Sequence, residues 1–269
     1  MPDKADNGNE KPANRWGSLQ PLGEAVRFLT AFPVPGLPPM KETTLARAMV
    51  AFPLVGFLIG GCGAGAGLLA GWLFGGPLQA VSVVVAWMVV TWGLHLDGLT
   101  DSADALFSWR SRERKLEIMK DSRIGTMGAL ALISVVLLKV GALYTLYSLG
   151  AAWWLGALLA PVWGRWADIY GIFFFPAARE GGMGRGFHER VRQRDFWIAT
   201  VSAVLIGGLL LPPWGALAGL MVLVTTHLLA RWMVGLLGGL TGDTYGALSE
   251  AGEVVTLLTL VALAHHAVL

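Results

Sequence analysis

The sequence predicts an all-α fold, a polytopic transmembrane helix bundle of about six to seven spans with active-site loops on the cytoplasmic side. Of the 269 residues, 55% are hydrophobic and only 14% are charged, whereas soluble globular chains are about one quarter charged. Apolar runs recur that are long enough to cross a hydrocarbon core of roughly 30 Å, which takes about 20 helical residues. This excess of apolar residues indicates a chain that is surrounded by lipid.

Seven apolar segments are candidate spans, and each is expected to be helical because a helix satisfies its own backbone hydrogen bonds in lipid. The fifth is short and ends at Pro212-Pro213, which suits a tight hairpin. Before the first span, residues 22–32 are apolar at helical spacing but too short to cross, so we predict a helix that lies flat in the membrane interface. The candidate spans lie at about 48–74, 78–96, 125–149, 151–176, 196–211, 214–239 and 251–269.

The chain divides into two parts by composition. Residues 1–18 are polar and of mixed charge, and they lack the apolar core of a secretory signal, so we predict a disordered cytoplasmic tail before an integral membrane catalytic domain at 19–269. The net charge of +2 is too small for a surface built to neutralise phosphates, which excludes nucleic acid as a partner.

Orientation follows from the basic residues, which concentrate in the loops 108–123 and 177–195. Under the positive-inside rule these loops and the N-terminus are cytoplasmic. The connections near 75–77, 150 and 212–213 carry no basic residue, as expected for turns on the opposite side.

Glycines recur every fourth residue in two series in the first span, so that one face of the helix is nearly bare backbone. Close packing against a neighbouring helix is the expected use of this face. Binding of a bulky ligand and homo-oligomer formation through the first span are the alternatives. The glycines are Gly56, Gly60, Gly63, Gly67, Gly71 and Gly75.

The stretch HLDGLTDSADAL, residues 95–106, carries the strongest functional signal. If the second helix continues through it, Asp97, Asp101 and Asp104 lie at i, i+4 and i+7 on one face. Three such charges need a cation unless they are protonated, and oxygen ligands suit Mg²⁺ or Mn²⁺ better than zinc. The alternative is a solvated polar helix end. His95 is either a further ligand or base, or an interfacial residue with a structural hydrogen bond.

Two loops add candidate substrate contacts. In RERKLEIMKDSRIGTMG, residues 112–128, Lys120, Asp121 and Arg123 lie near the aspartates only if the loop folds back, where the cations would clamp a diphosphate. Without that fold-back the segment is an ordinary positive-inside loop. In GGLTGDTYGALSE, residues 238–250, Asp243 is flanked by glycines that permit close backbone approach to a ligand.

Charged residues deep in the spans are candidates for function by default, because charges are costly in the membrane. Arg165 and Asp168 are spaced to pair at i, i+3, whereas Arg231 has no local partner and is the better candidate for a substrate contact. Lys139 is expected to extend towards the interface. The glycine-rich segment 181–187 is a weak candidate for a phosphate loop.

Together, five motifs resemble the cobalamin synthase family, in order and spacing, over nearly the whole chain. The resemblance implies transfer of the corrinoid phosphoryl group of adenosylcobinamide-GDP to α-ribazole or its 5′-phosphate with release of GMP, a Mg²⁺ requirement, and residence in the bacterial cytoplasmic membrane. The motifs are FLTAFPVP at 28–35, FPLVGFLIG at 52–60, HLDGLTDSADAL at 95–106, LEIMKDSRIGTMG at 116–128 and GGLTGDTYGA at 238–247.

On this resemblance the three aspartates of 95–106 would hold Mg²⁺, and Asp104 or Asp243 would accept the proton of the attacking hydroxyl. Lys120, Arg123 and Arg231 would offset the remaining negative charge. A membrane phosphotransferase of the CDP-alcohol type and an ion-coupled transporter are the alternatives.

Overall fold

The computed structural model describes residues 16–179 and 183–267, and within these ranges it contains helices and no strand. One isolated parallel bridge joins Ala177 to Leu240. The all-α prediction is therefore confirmed. In chain order the α-helices are α1 Gln20–Leu29, α2 Glu42–Ala48, α3 Phe52–Leu73, α4 Pro77–Val90, α5 Leu94–Leu106, α6 Arg112–Ile118, α7 Thr126–Ser148, α8 Trp153–Phe174, α9 Met183–Arg190, α10 Gln193–Leu210, α11 Trp214–Leu237 and α12 Gly242–His265.

Each of the seven apolar segments contains one of the long helices, namely α3, α4, α7, α8, α10, α11 or α12. By length and hydropathy, four helical stretches of the described chain are able to cross a membrane, or five if α4 and α5 form one span. That number is below the predicted six to seven. The four stretches are Thr43–Leu73, Thr126–Ser148, Trp214–Leu237 and Gly242–His265.

Helix α8 is the centre of the bundle, and it packs against α3, α10, α11 and α12. All of its residues from Leu159 to Ile172 are buried. A helix enclosed on all sides by protein does not need a uniformly apolar surface. This explains why α8 carries Arg165 and Asp168, and why it is less apolar than the four stretches named above although its segment was a candidate span.

The glycine face of α3 is filled by helices of the same chain. A Cβ on Gly60 would lie 2.7 Å from the carbonyl oxygen of Leu158 in α8, and one on Gly67 would lie 2.7 Å from Val83 in α4. The expectation of close helix packing is confirmed. These glycines of the first span are therefore occupied by neighbouring helices of the same chain, and a homo-oligomer through the first span stays a prediction.

The acidic helix does not continue straight from the second span, as we had expected. Helix α4 ends at Val90, and α5 starts at Leu94 and runs at 89° to it. Trp92 and Gly93 at the bend both have positive φ, and such left-handed residues end a helix. Since α5 is nevertheless regular, the predicted spacing of its aspartates on one face is retained.

Helix α12 starts at Gly242, earlier than the predicted span at 251–269. Thr241 caps it, since its Oγ1 accepts a hydrogen bond from the backbone N–H of Thr244 and the Thr244 hydroxyl accepts one from the N–H of Thr241. Asp243 therefore lies in the first helical turn. The segment predicted as a loop is mostly helix.

The short segment before the first span forms α1, which agrees with the helix predicted at 22–32. The Nε1 of Trp16 donates to the carbonyl oxygen of Pro35, at 3.0 Å, and so fastens the start of α1 to the proline-rich turn. Residues 1–15 of the predicted tail lie outside the described part of the chain, whereas Gly17–Leu19 form a 3-10 helix.

Candidate active site

Three carboxylates gather where α5 crosses the start of α12. Asp97 is exposed and Asp101 is half-buried on α5, and Asp243 is half-buried on α12. The carboxylate of Asp101 is repelled electrostatically by those of Asp97, Asp243 and Asp104. We call Asp97, Asp101 and Asp243 the acidic face, and the excess negative charge around Asp101 is what a cation or a cationic ligand would neutralise.

Two glycines allow α5 and α12 to approach this closely. A Cβ on Gly98 would lie 2.7 Å from the backbone oxygen of Asp243, and one on Gly246 would lie 3.0 Å from that of His95. Any side chain at these positions would push the helices apart. The glycines that follow Asp97 and Asp243 in their motifs thus bring the two aspartates to one site.

Asp104 has a different environment from the acidic face. Its Oδ2 accepts the N–H of Gly125 at 2.7 Å, and its Oδ1 accepts the N–H of Gly128 at 2.8 Å. It therefore caps the N-terminus of α7, where unpaired amides favour an anion. A Cβ on either glycine would overlap the carboxylate. The predicted roles of Asp104 as a metal ligand and base remain predictions, and the structure adds a structural role.

These bonds also show that the basic loop folds back onto α5. The loop between α6 and α7 passes along α5, and Ile124 borders the same cavity as Asp97. Arg123 is exposed and holds Asp121 through two guanidinium nitrogens, Nε at 2.9 Å from Oδ1 and Nη2 at 2.6 Å from Oδ2. Hydrogen bonds from Arg123 lower the pKa of Asp121 to about 2. Lys120 is exposed.

A cation that the sequence did not single out lies beside Asp243. Arg179 is half-buried, and its charge acts favourably on the Asp243 carboxylate. The backbone holds it there, because the N–H of Ala178 donates to the oxygen of Leu240 and the N–H of Leu240 donates to that of Pro176, both at 2.8 Å. In the sequence, Arg179 is one of several basic residues in the loop 177–195, and it was used only to predict the orientation of that loop.

Two cavities adjoin the acidic face. The larger, of about 770 Å³, lies between the end of α1 and the α4–α5 bend, where Arg27, Trp92 and Ile124 are among its walls. The smaller, of about 220 Å³, lies between α1, α3, α5, α8 and α12. Asp97 lines both, whereas Asp243 lines the smaller one. Asp97 is thus placed where contents of the two cavities would meet.

His95 and Asp168 form a buried pair at the wall of the smaller cavity. Nε2 of His95 lies 3.1 Å from Oδ2 of Asp168, and both residues line that cavity. The structural hydrogen bond favoured for His95 is confirmed. The predicted ion pair between Arg165 and Asp168 is wrong, because each has a partner on another helix.

Arg165 belongs to an ion cluster inside the bundle. It pairs with Glu253 of α12, and Lys139 of α7 pairs with both Glu253 and Glu250. We call these four residues the interior ion cluster, and all are at most 4% exposed. Lys139 does not extend to the interface, so that expectation is wrong. Arg165 lines neither of the two cavities, and its predicted contact with substrate stays a prediction.

Two further candidates from the sequence are Arg231 and the glycine-rich segment 181–187. Arg231, the candidate substrate contact in the sixth span, has an exposed side chain, because it lies on the outer side of α11. Its predicted contact with substrate stays a prediction. The glycine-rich segment 181–187 lies partly outside the described residues, and α9 begins at Met183.

Within residues 16–179 and 183–267, no three His, Cys, Asp or Glu side chains are arranged so that they could hold a metal ion as they stand. Because both oxygens of Asp104 accept backbone hydrogen bonds of α7, the acidic face is the remaining set of carboxylate donors near the cavities. These donors have the chemistry that Mg²⁺ prefers. A metal would need to draw Asp97, Asp101 and Asp243 closer together.

Comparison with known proteins gives one family. Residues 22–261 match the family model described as "Cobalamin-5-phosphate synthase". Relatives named "Adenosylcobinamide-GDP ribazoletransferase" include one from Roseiflexus sp. (strain RS-1), 52% identical over 97% of this chain and 96% of the relative. Another, from Herpetosiphon aurantiacus, is 55% identical over 93% and 100%, and one from Pseudomonas syringae pv. syringae is 41% identical over 90% and 99%. No solved structure matches the chain.

Proposed function

Because the chain belongs to the cobalamin-5-phosphate synthase family, we propose that it is an adenosylcobinamide-GDP ribazoletransferase of the bacterial cytoplasmic membrane. It would transfer the corrinoid phosphoryl group of adenosylcobinamide-GDP to α-ribazole, or to its 5′-phosphate, and release GMP. The acidic face and the loops 108–123 and 177–195 would lie on the cytoplasmic side of the membrane.

The observation that carries the proposal is the position of the acidic face at the junction of two cavities. A transferase that joins two substrates needs two binding spaces that meet at its reactive groups. Asp97 lines both cavities, and Asp101 and Asp243 lie close enough for their charges to interact. An ion-coupled transporter would instead need carboxylates inside the bundle that are free to bind the ion, whereas Glu250 and Glu253 of the interior ion cluster are paired with cations.

Mg²⁺ is part of the proposal. Asp97, Asp101 and Asp243 would hold it, and when bound it would neutralise the diphosphate and the charge that develops on the leaving group. Mn²⁺ has similar ligand preferences and is expected to substitute.

In the proposed reaction, a hydroxyl oxygen of the ribazole attacks the phosphorus attached to the corrinoid. A new phosphorus–oxygen bond forms, the bond from that phosphorus to the bridging oxygen breaks, and GMP leaves with the bridging oxygen. The hydroxyl proton passes to a carboxylate, for which Asp243 is our choice over Asp104, since both oxygens of Asp104 already accept backbone hydrogen bonds.

The chain's cations have separate tasks in this scheme. Arg179 beside Asp243 would hold a phosphate of the substrate, for which a guanidinium is well shaped. Arg123 and Lys120 on the folded-back loop would attract the anionic substrate to the larger cavity, and exposed Arg231 would add to the same positive surface.

The test is an assay of purified protein in detergent or nanodiscs. With Mg²⁺, adenosylcobinamide-GDP and α-ribazole, GMP and the joined corrinoid should appear in equal amounts, and EDTA should stop both. Omission of α-ribazole should prevent GMP release. GMP without the nucleoside would show a hydrolase, and product from a CDP-alcohol but not from the corrinoid would show the other phosphotransferase class. Replacing α-ribazole by its 5′-phosphate tells which acceptor is preferred.

A further inference from the structure

The smaller cavity contains polar groups that the reaction scheme does not use. His95, Asp168 and Tyr245 line it, and each is at most 5% exposed. Each also has one buried polar atom without a hydrogen-bond partner, namely Nδ1 of His95, Oδ1 of Asp168 and the hydroxyl of Tyr245. Buried polar atoms are nearly always paired. Three unpaired ones around a single cavity indicate a place for a ligand that supplies the missing hydrogen bonds.

The rest of the lining is apolar and aromatic. The rings of Phe28 and Phe52 are stacked with their centroids 6.1 Å apart and an interplanar angle of 18°, and both line the cavity. A mostly apolar space with a few convergent polar groups is typical of a small-molecule site. The polar groups can form hydrogen bonds to a ligand, and the rings offer a surface for a planar aromatic group.

Charge decides which substrate fits. None of the described residues that line the smaller cavity is Lys or Arg, whereas Asp97, Asp168 and Asp243 are all among them. Such a lining repels phosphate and suits an uncharged group with several hydrogen-bond donors and acceptors. The larger cavity has Arg27 in its lining and the cationic loop at its border.

We propose that the smaller cavity binds the nucleoside moiety of the acceptor, with its aromatic base against Phe28 and Phe52 and its polar atoms on Tyr245, Asp168 and His95. The diphosphate of the activated corrinoid lies in the larger cavity, so the two substrates meet at Asp97. This assignment rests on the proposed transferase function, since it presumes one nucleoside acceptor and one diphosphate donor.

The test uses Tyr245→Phe, which removes one hydroxyl from the cavity and leaves the ring. Its matched control is Tyr170→Phe, because the Tyr170 hydroxyl bonds to Nδ1 of His227 at 3.0 Å and Tyr170 lines neither cavity. Calorimetry in nanodiscs measures the Kd of α-ribazole without corrinoid, and turnover gives the KM of each substrate. Tyr245→Phe should raise the Kd and KM for α-ribazole about fivefold, the effect of one hydrogen bond, and should leave the KM for the corrinoid unchanged.

The control should leave all three constants unchanged. If Tyr245→Phe binds α-ribazole as tightly as the wild type, or raises only the corrinoid KM, the assignment is overturned. As a measurement without any variant, an azido derivative of the nucleoside photolysed on wild-type protein should label peptides that contain Phe52 or Tyr245. Label confined to other peptides would also overturn the assignment.

The experiments distinguish failure of the proposed transferase function from failure of the proposed nucleoside site in the smaller cavity. If wild-type protein binds α-ribazole in a Tyr245-dependent manner but releases no GMP, the pocket stands and the transferase function does not. If wild-type protein releases GMP and the Tyr245→Phe and Tyr170→Phe variants bind the nucleoside equally well, the function stands and the pocket does not. Absence of both binding and turnover overturns both.

Discussion

The interior ion cluster and the acidic face hold charged residues under opposite conditions. In the cluster, the carboxylates of Glu250 and Glu253 meet the cations of Lys139 and Arg165. On the acidic face, Asp101 has other aspartates as its charged neighbours. Paired charges inside a bundle join helices, whereas clustered like charges at an accessible site await a ligand. Charge balance therefore distinguishes the interior ion cluster from the acidic face in this chain.

The cluster connects helices that are far apart in sequence. Lys139 on α7 and Arg165 on α8 both reach α12, and His95 on α5 reaches Asp168 on α8. The same α12 carries Asp243 at its start. The buried pairs thus set the position of the helix that completes the acidic face.

The largest effect is expected for Lys139→Met, which leaves Glu250 without its partner in the interior. We expect a loss of roughly 3–5 kcal/mol in the free energy of unfolding, because a buried charge remains uncompensated. Unfolding in SDS followed by circular dichroism measures it. Lys120→Met, at an exposed lysine, is the control and should not change stability. The double variant Lys139→Met, Glu250→Gln should recover part of the loss, and no recovery would contradict the pairing argument.

At the acidic face, removing a charge should have the opposite effect on stability. Asp101→Asn should lower kcat about 100-fold or more, as loss of a group that stabilises the transition state does, and it should remove the response to Mg²⁺. Stability should stay equal or rise slightly, since repulsion is relieved. The control is Glu117→Gln, an exposed carboxylate paired with Arg114. Near-normal activity of Asp101→Asn would refute the assignment of Asp101 as a metal ligand.

Asp104→Asn distinguishes a structural role of Asp104, as the cap of α7, from a catalytic role as a metal ligand or base. If Asp104 is mainly the cap of α7, the substitution should lower stability by about 1 kcal/mol and reduce activity much less than Asp101→Asn does. Gly128→Ala should behave similarly, because its Cβ overlaps the Asp104 carboxylate. Thermal unfolding and turnover of both variants decide the matter. A loss of activity as large as that of Asp101→Asn, at unchanged stability, would instead support a metal ligand or base.

The smallest effects on activity are expected from replacing two arginines, exposed Arg123 and half-buried Arg179. Arg123→Gln should raise the KM for adenosylcobinamide-GDP no more than about twofold, because the guanidinium is already paired and screened by solvent. Arg179→Gln, at a half-buried position beside Asp243, should raise it roughly fivefold. Steady-state kinetics at two salt concentrations measure both. Equal effects would show that burial does not distinguish these arginines.

The pH dependence of activity tests the exposed ion pair between Arg123 and Asp121. Hydrogen bonds from Arg123 place the pKa of Asp121 at about 2, below the ordinary value of about 4. A lowered pKa means that the pair is complete above the ordinary value and is lost only as the pH falls towards about 2. Changes of activity at higher pH must therefore arise from other groups.

Much of the fold and part of the site could be predicted from the sequence, because they depend on local patterns. Apolar runs located the long helices, and the i, i+4, i+7 spacing placed three aspartates on one side of α5. The bend before α5 and the early start of α12 were missed. They depend on left-handed residues at Trp92 and Gly93 and on a threonine cap, which are weak signals beside hydropathy.

Pairings between helices were decided only by the tertiary structure. The sequence by itself determined that Lys139, Arg165 and Asp168 sit in apolar segments, and it suggested a local partner for the last two. Their actual partners lie 73 to 114 residues away. Similarly, Arg179 meets Asp243 only because the chain after α8 is bonded to the loop before α12. Hydrophobicity decides which residues are removed from water. The rotation and order of the packed helices decide which charges face each other, and these depend on contacts between segments that are far apart in the chain.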